Sequence, residues 1–317
     1  MATKSRFIWF NGEVVPWEQA TVHVMSHALH YGSSVFEGIR TYETPAGPAI
    51  FRLRDHTRRL VASARIHRLE AGYTEDEIDA ACREVVRINE LQSAYIRPVI
   101  YRGFGDLTLL RTTSPIEMAI AAFEWGAYLG QEAIEMGIDV CVSSWQRPAP
   151  NTFPAMAKAG GNYLSSQLIG GEALRHGYAE GIALDHNQQV AEGSGENVFL
   201  VRDGVIYTPP LWSSILAGLT RDSIIVMAKD LGYVVKEEPI PREALYVADE
   251  LFFTGTAAEV TPIRSVDGLV VGQGRRGPVT TVLQKAFFDL VTGQSEDRWG
   301  WLDHVTSSAV DRVESIA

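Results

Sequence analysis

The feature that most constrains the fold is an Asn-Gly pair between two short apolar segments near the N-terminus. The segment RFIWFNGEVVPW carries Asn11 and Gly12 at its centre. Asn-Gly is the strongest short signal for a β-hairpin, because both residues accept the left-handed backbone of a tight turn between strands. A second hairpin is predicted in GIRTYETPAGPAIFRL, where Pro-Ala-Gly-Pro separates two strands. The chain therefore begins as antiparallel β-structure.

Helices follow these hairpins. Apolar periodicity predicts helices in RDHTRRLVASARIHRL and TEDEIDAACREVVRINEL. In the second helix, Thr74 and Glu77 have the spacing of a capping box. Two more strands, AYIRPVIYRG and IEMAIAAFEW, complete a small α+β domain that we place at residues 1–125.

A connector is expected over residues 126–135, followed by a larger domain over residues 136–317. The predicted strands of this domain are IDVCVSSWQR, EGIALD, NVFLVRDGVIYTP and ELFFTG. The predicted helices are NYLSSQLIGGEALRHG, with Asn162 as its cap, TRDSIIVMAKDLG and PVTTVLQKAFFDLVTG. A mixed sheet with helices packed on it makes the fold class α/β (α+β) in two domains.

The composition narrows the choice of partners. The formal net charge is −11 and the basic residues form no cluster, which argues against nucleic acid and anionic membranes as ligands. The N-terminal residues do not have the pattern of a signal peptide, and no apolar run approaches the roughly 18 residues that span a bilayer. The two cysteines have no metal-ligand spacing. We expect a cytoplasmic protein that binds small molecules and no metal.

One lysine has unusual neighbours. The chain has five lysines, and Lys158 alone stands among small residues, between Ala157 and Ala159. A poorly solvated lysine has a lowered pKa, and its neutral amine can attack a carbonyl and hold a Schiff base. The alternative is an exposed lysine at the end of a strand. Lys158 is therefore a candidate nucleophile whose role depends on the groups around it.

Other segments contain the groups that a pyridoxal phosphate site needs, which are a phosphate pocket, a carboxylate for the pyridine nitrogen and a donor near the ring hydroxyl. Tyr163 follows Lys158 by one helical turn and supplies a phenol. Gly218 and Thr220 precede an apolar helix, whose N-terminus can bind phosphate. Glu192 and Glu196 flank two glycines. Taken singly, these segments also fit an ordinary helix cap and a solvated hairpin turn.

Taken together, these segments resemble a known family. The motifs HALHYGSSVFEGIR, AYIRP, AKAGGNYLSS, EGSGEN, GLTRDSI and GTAAEVTP occur in this order over nearly the whole chain. The chain resembles the fold-type IV pyridoxal phosphate enzymes and, among them, the branched-chain-amino-acid aminotransferases.

The resemblance implies roles for the cofactor-binding residues. Lys158 would form the Schiff base with pyridoxal phosphate and move the proton between substrate and cofactor carbons. Glu192 would keep the pyridine nitrogen protonated, and Tyr163 would lie near the ring hydroxyl. The full implied set, which includes the phosphate pocket, is Arg59, Lys158, Tyr163, Glu192, Leu216, Gly218, Leu219, Thr220 and Thr256.

The resemblance also implies a substrate site. Aromatic residues would form its walls, the turn at Thr256 and Ala257 would hold the α-carboxylate, and Arg97 would receive the second carboxylate of glutamate or 2-oxoglutarate. Tyr31 would come from a neighbouring subunit, which implies a homodimer or a trimer of dimers. The full implied set is Tyr31, Phe36, Gly38, Tyr95, Arg97, Leu107, Leu109, Trp125, Tyr128, Thr256 and Ala257.

The implied reaction is transamination of L-leucine, L-isoleucine and L-valine with 2-oxoglutarate, which yields branched-chain 2-oxo acids and glutamate. One loop departs from the family. YRGFGDLTLLRTTSP, residues 101–115, stands where these enzymes carry a Gly-Met-Gly-Val-Asn-Pro type sequence. This departure leaves a D-amino-acid transaminase, an (R)-amine transaminase or a promiscuous intermediate as alternatives. A non-catalytic or nucleotide-binding α/β protein, with Lys158 as an incidental surface lysine, is the alternative from another class.

Overall fold

A computed structural model describes residues 5–110, 112–125 and 131–305. The chain divides into two compact units. The first contains residues 5–125 and 289–305, and the second contains residues 131–288 of the described chain.

The elements are numbered in chain order. The helices are α1 His27–Tyr31, α2 Leu53–His67, α3 Glu75–Ile88, α4 Gln131–Met136, α5 Tyr163–Arg175, α6 Leu219–Asp230 and α7 Pro278–Val291. The strands are β1 Phe7–Phe10, β2 Glu13–Pro16, β3 Ser34–Phe36, β4 Ile39–Thr44, β5 Gly47–Phe51, β6 Ala94–Arg102, β7 Ile116–Phe123, β8 Ile138–Val142, β9 Glu180–Leu184, β10 Val190–Gly193, β11 Asn197–Arg202, β12 Val205–Thr208, β13 Val235–Glu237, β14 Glu250–Gly255, β15 Glu259–Val266, β16 Leu269–Val270 and β17 Leu302–His304.

The first unit is built on an antiparallel sheet in the order β17-β5-β4-β6-β7-β1-β2, with β3 also paired to β6. Both predicted hairpins are present. In the first, Asn11 and Gly12 have φ values of 49° and 97°, so the turn uses the left-handed backbone that these residue types accept. The second hairpin joins β4 to β5.

Two helices of the first unit follow the predicted periodicity. The capping box of α3 is formed, since the Thr74 side chain accepts the Glu77 N–H and the Glu77 carboxylate accepts the Thr74 N–H at 2.7 Å. The inner face of α3 buries Ile78, Val85 and Val86. This burial, rather than helix propensity alone, stabilises the helix.

The C-terminal segment differs from the expected domain division. Residues 289–305 belong to the first unit, because β17 pairs with β5 and Asp303 binds Arg83 at 2.6 Å. A strand of three residues leaves too short a pattern to detect in the sequence. The connector expected over residues 126–135 also differs, because its described part lies in α4.

The sheet of the second unit closes on itself. Strands β10, β9, β8, β15, β14 and β11 are paired in this order, and β10 also pairs with β11. Parallel pairs join β8 to β9 and to β15, so the sheet is mixed, as predicted. Buried side chains such as Val140, Ile182, Val198 and Phe253 form the core of this unit. The predicted fold class, α/β (α+β), is confirmed.

The ring closes where Glu192 of β10 pairs with Asn197 of β11, so the two residues lie side by side on adjacent strands.

Among the described residues, no helix has the length and apolar character needed to cross a membrane. The same part of the chain contains no cluster of three His, Cys, Asp or Glu side chains arranged to hold a metal ion.

Candidate active site

Lys158 lies just before α5, between two buried alanines, Ala157 and Ala159. Its Nζ donates a hydrogen bond to Tyr163 Oη at 2.6 Å and lies 5.0 Å from the centre of the tyrosine ring. Both side chains are half-buried. The short sequence separation places the phenol beside the amine, because the first turn of α5 begins at Tyr163.

Asn162 holds the segment that carries Lys158. Its amide donates hydrogen bonds to the carbonyl oxygens of Pro154 at 3.1 Å and Ala157 at 3.0 Å. Asn162 occupies the N-cap position of α5, as predicted, but its side chain makes no capping hydrogen bond. The amide instead binds carbonyl groups of the preceding loop, which fixes the backbone beside the lysine.

Glu192 projects from β10 into a buried site. Arg147 lies 3.0 Å from Glu192 Oε1, and the Leu216 N–H donates to Oε2 at 3.0 Å. Burial raises the pKa of the Glu192 carboxyl, and the charges of Arg147, Lys158 and Arg221 oppose this rise. Burial therefore favours the protonated form of Glu192, and the nearby positive charges favour the ionised form.

A second buried carboxyl group, Glu196, lies near Glu192, and Glu180 acts in turn on Glu196. Burial, reinforced by the negative charge of Glu180, raises the pKa of Glu196 to about 8. Burial also raises the pKa of Glu180, whose carboxylate accepts the hydroxyl of Ser194 at 2.9 Å. Glu196 therefore holds its proton at neutral pH, unlike an exposed glutamate.

These groups meet in one cavity that is open to solvent. Its walls bring an amine, a phenol, a guanidinium and two carboxyl groups together with small residues. They are formed by Arg147, Ala155, Ala157, Lys158, Asn162, Tyr163, Ser166, Glu192, Ser194, Gly195, Glu196, Asn197 and Leu216.

Two further elements of the second unit carry predicted site residues. Gly218 immediately precedes α6, so Leu219 and Thr220 occupy its first turn, and no side chain caps this helix. Thr256 and Ala257 lie in the turn between β14 and β15. This turn lies beside the cavity wall, since a Cβ atom at Gly255 would be 3.5 Å from Glu196 Cγ.

In the first unit, Arg59 is not on a solvated helix face. Its guanidinium binds the fully buried Glu37 through two contacts of 2.6 and 2.9 Å, and His56 Nδ1 lies 2.7 Å from the same carboxylate. Burial favours the protonated acid, but Arg59 and His56 outweigh it and hold the pKa of Glu37 well below its usual range.

The aromatic residues predicted to bind substrate lie together in the first unit. The Arg97 guanidinium lies 4.6 Å from the centre of the Phe36 ring and donates to Tyr95 Oη at 3.3 Å. The Tyr95 and Trp125 rings are 5.2 Å apart. Gly38 permits this approach, because a Cβ atom there would lie 1.9 Å from Tyr95 Oη.

Comparison with known proteins identifies the family. A family model described as amino-transferase class IV matches residues 34–266. The chain belongs to the class IV aminotransferases.

Three relatives of this class IV aminotransferase illustrate the similarity. The branched-chain-amino-acid aminotransferase of Salmonella typhimurium is 59% identical over 96% of this chain and 99% of its own length. The crystal structure of the Escherichia coli branched-chain amino acid aminotransferase is 60% identical, with a TM-score of 0.94 over 96% of this chain and all of that chain. The Thermobaculum terrenum branched-chain amino acid aminotransferase in its PLP form is 36% identical, with a TM-score of 0.88 over 96% of this chain and 99% of its own.

Of the remaining residues predicted for the substrate site, those that the structure describes lie outside the aromatic group around Arg97. Tyr31 Oη donates to the carbonyl oxygen of Leu107 at 3.2 Å, and Leu109 is largely exposed. Tyr128 lies outside the described residues. In the loop of residues 101–115, Asp106 accepts hydrogen bonds from the backbone N–H groups of Thr108 and Thr113.

The sequence interpretation missed two residues of this aminotransferase site. Arg147 was assigned only to the end of a strand, because nothing near it in the sequence reveals its contact with Glu192. Asn197 follows the EGSGE segment directly and begins the apolar strand β11, and nothing in that pattern indicates that its side chain turns towards Glu192. The Asn197 contact arises from the pairing of β10 with β11, and Arg147 reaches Glu192 from the segment after β8; periodicity specifies neither contact.

Proposed function

We propose that this class IV aminotransferase uses pyridoxal phosphate to transfer the amino group of L-leucine, L-isoleucine and L-valine to 2-oxoglutarate. The observation that carries the proposal is the cavity in which Lys158, Tyr163 and Glu192 meet. The similarity to branched-chain aminotransferases at 59% and 60% identity supports the same substrates and reaction.

The chemistry of the cavity fits the cofactor. Pyridoxal phosphate presents a carbonyl carbon, a ring hydroxyl and a ring nitrogen, which call for an amine, a hydrogen-bonding partner and a carboxylate. Lys158 supplies the amine, Tyr163 the partner and Glu192 the carboxylate. When bound, the cofactor accepts the amino group and withdraws electrons from the substrate α-carbon.

Two side chains of the cavity are assigned to proton transfer and proton binding. Lys158 would hold the cofactor through its amine and would move the proton from the substrate α-carbon, and the hydrogen bond to Tyr163 orients that amine. Glu192 holds the proton of the ring nitrogen, which requires an ionised carboxylate. The guanidinium of Arg147, 3.0 Å away, favours that ionised form against the effect of burial.

Phosphate recognition is assigned to Arg59, to the Leu219 and Thr220 end of α6, and to Thr256. A helix N-terminus presents N–H groups and positive partial charge, and α6 begins at Leu219. Gly218 and Leu216 shape the segment that leads into the helix. Arg59, whose guanidinium is paired with Glu37, is assigned to the same phosphate site.

Substrate recognition is assigned to the aromatic group of the first unit. Phe36, Tyr95 and Trp125 offer the apolar surface that selects a branched aliphatic side chain by burial. Arg97, packed on these rings, supplies the cation for the second carboxylate of 2-oxoglutarate. Thr256 and Ala257 would hold the α-carboxylate through their turn, and Tyr31, Gly38, Leu107, Leu109 and Tyr128 complete the proposed set.

We also propose that the protein assembles with copies of itself, as a homodimer or a trimer of dimers. Large apolar side chains are exposed on the first unit, including Val24, Leu29, Leu109 and Leu110, with Leu110 95% exposed. Exposed apolar groups of this kind are typical of an interface. Light scattering of the purified protein should give a multiple of the chain mass, and a mass of one chain would contradict the proposal.

The cytoplasm is the compartment we assign. Cys82 and Cys141 are buried free thiols, as is common in proteins of a reducing compartment. The proposed ligands are amino acids and 2-oxo acids, and the acidic surface gives no support to nucleic acid as a partner.

An amino-donor panel tests the proposed function. Initial rates with L-leucine, D-alanine and (R)-1-phenylethylamine are compared, with 2-oxoglutarate and pyruvate as acceptors. The proposal predicts the highest rate with L-leucine and 2-oxoglutarate. Strong activity confined to D-alanine and (R)-1-phenylethylamine would replace it by the alternative on the same fold.

A further inference from the structure

Asn197 links two parts of the cavity that come from distant points in the chain. Its side-chain NH₂ group donates one hydrogen bond to Glu192 Oε2 and another to the carbonyl oxygen of Leu216, both at 3.0 Å. The Leu216 N–H donates to the same Glu192 oxygen at 3.0 Å. One buried amide thus joins a carboxylate on β10 to the segment that leads into α6.

The orientation of this amide is fixed by its partners. A carboxylate and a carbonyl oxygen only accept hydrogen bonds, so the NH₂ group must face them and Asn197 Oδ1 must point away. Oδ1 then lies close to Gly218, where a Cβ atom would be 1.9 Å away. Gly218 has a φ of −68°, which any residue adopts, so its backbone does not require glycine. Glycine is needed at this position because the Asn197 side chain occupies the space that a Cβ atom would fill.

We propose that Asn197 is a positioning residue that sets the distance between the Glu192 carboxylate and the N-terminus of α6. It does not touch the reacting atoms. The inference deepens the proposed function and rests on it, because Glu192 is there assigned to the cofactor's ring nitrogen and α6 to its phosphate. The two ends of the cofactor site are then held in register by one side chain, and Gly218 is required by that side chain.

A double-mutant cycle tests the link. Gly218→Ala should weaken pyridoxal phosphate binding by about tenfold or more in the wild-type background, because the new methyl group displaces Asn197 Oδ1. In the Asn197→Ala background the obstacle is gone, and Gly218→Ala should cost less than about threefold. The readouts are the cofactor dissociation constant and the unfolding temperature of the apoprotein. Equal penalties for Gly218→Ala in both backgrounds would overturn the proposal.

A charge-changing variant separates positioning from general stability. Asn197→Asp has nearly the same shape but places a second carboxyl group beside Glu192 Oε2. Because that group ionises as the pH rises, the loss of cofactor affinity relative to wild type should grow with pH. Arg147, Lys158 and Arg221 are the cations acting on Glu192, Glu196 is the nearby acid, and all four are unchanged in the variant. A loss that is independent of pH would contradict the assigned role.

Asn187→Asp is the matched control. It adds the same charge at an exposed position of the second unit and should leave the cofactor dissociation constant unchanged at each pH. If Asn197→Ala does not fold, Asn197→Ser takes its place in the cycle with the same expectation. A wild-type protein that binds no pyridoxal phosphate would refute the proposed function. Additive penalties in a protein that binds it refute only the role of Asn197.

Discussion

Replacement of Glu196 by glutamine should change how the stability of the apoprotein depends on pH. Glu196 is buried, and burial together with the charge of Glu180 raises its pKa to about 8, while Lys158 opposes the rise. In the unfolded chain, the Glu196 carboxyl group has a pKa near the ordinary value of 4.5. Between these two values the folded protein holds more protons than the unfolded protein. Its free energy of unfolding therefore falls as the pH rises through this window.

The size of the effect follows from the same two values. A carboxyl group with a pKa of about 8 in the folded protein loses up to about 5 kcal/mol of stability once the pH exceeds that value. Glutamine has nearly the same shape and does not ionise. Glu196→Gln should therefore retain, above the window, most of the stability that the wild type loses there. Glu180, with its own raised pKa, keeps a smaller pH dependence in both proteins.

Urea unfolding of the apoprotein at about pH 6 and about pH 9 measures the effect. Because only about two units of the window lie above pH 6, the wild type should lose about 3 kcal/mol more between the two pH values than Glu196→Gln. Glu243→Gln, at an exposed position, is the control and should follow the wild type. Equal losses in the wild type and Glu196→Gln would refute the argument that burial keeps this carboxyl protonated.

Three further substitutions test other contacts. Arg147→Met removes the cation beside Glu192, so the cofactor dissociation constant, measured by absorbance titration, should rise by about tenfold or more. An unchanged constant would contradict the role assigned to Arg147. Glu37→Gln breaks the buried ion pair with Arg59 and should lower the free energy of unfolding, measured in urea, by about 3–5 kcal/mol. A decrease below about 1 kcal/mol would show that the ion pair is dispensable. Arg97→Met should raise KM for 2-oxoglutarate by about tenfold or more and alter KM for L-leucine far less, and equal changes would remove its role in carboxylate selection.

The local parts of the fold were the predictable ones. The hairpin at Asn11 and Gly12 follows from turn chemistry, and the start of α3 follows from the capping residues Thr74 and Glu77, because each signal lies within a few residues. The short elements β17 and α4 were missed, since three to six residues carry too little periodicity. The closed ring of the second unit also depends on the pairing of β8 with β15 and of β11 with β14, which join distant segments of the chain and which no local pattern specifies.

The candidate site divides in the same way. The contact between Lys158 and Tyr163 was foreseeable, because five residues separate them and a helix begins at the second. The partners of Glu192 were not, since Arg147 reaches it from the irregular segment that follows β8. Asn162 shows a different limit, because it lies at the predicted cap position but uses its side chain for the preceding loop instead.

The most direct test of the central claim is a single-turnover reaction of the purified holoenzyme with L-leucine and no amino acceptor. The released 2-oxo acid and the spectrum of the bound cofactor are measured together. The account predicts 4-methyl-2-oxopentanoate in stoichiometric amount and loss of the visible cofactor band, with neither change in Lys158→Ala. Absence of the 2-oxo acid with the wild type, or its formation by Lys158→Ala at the same rate, would contradict it.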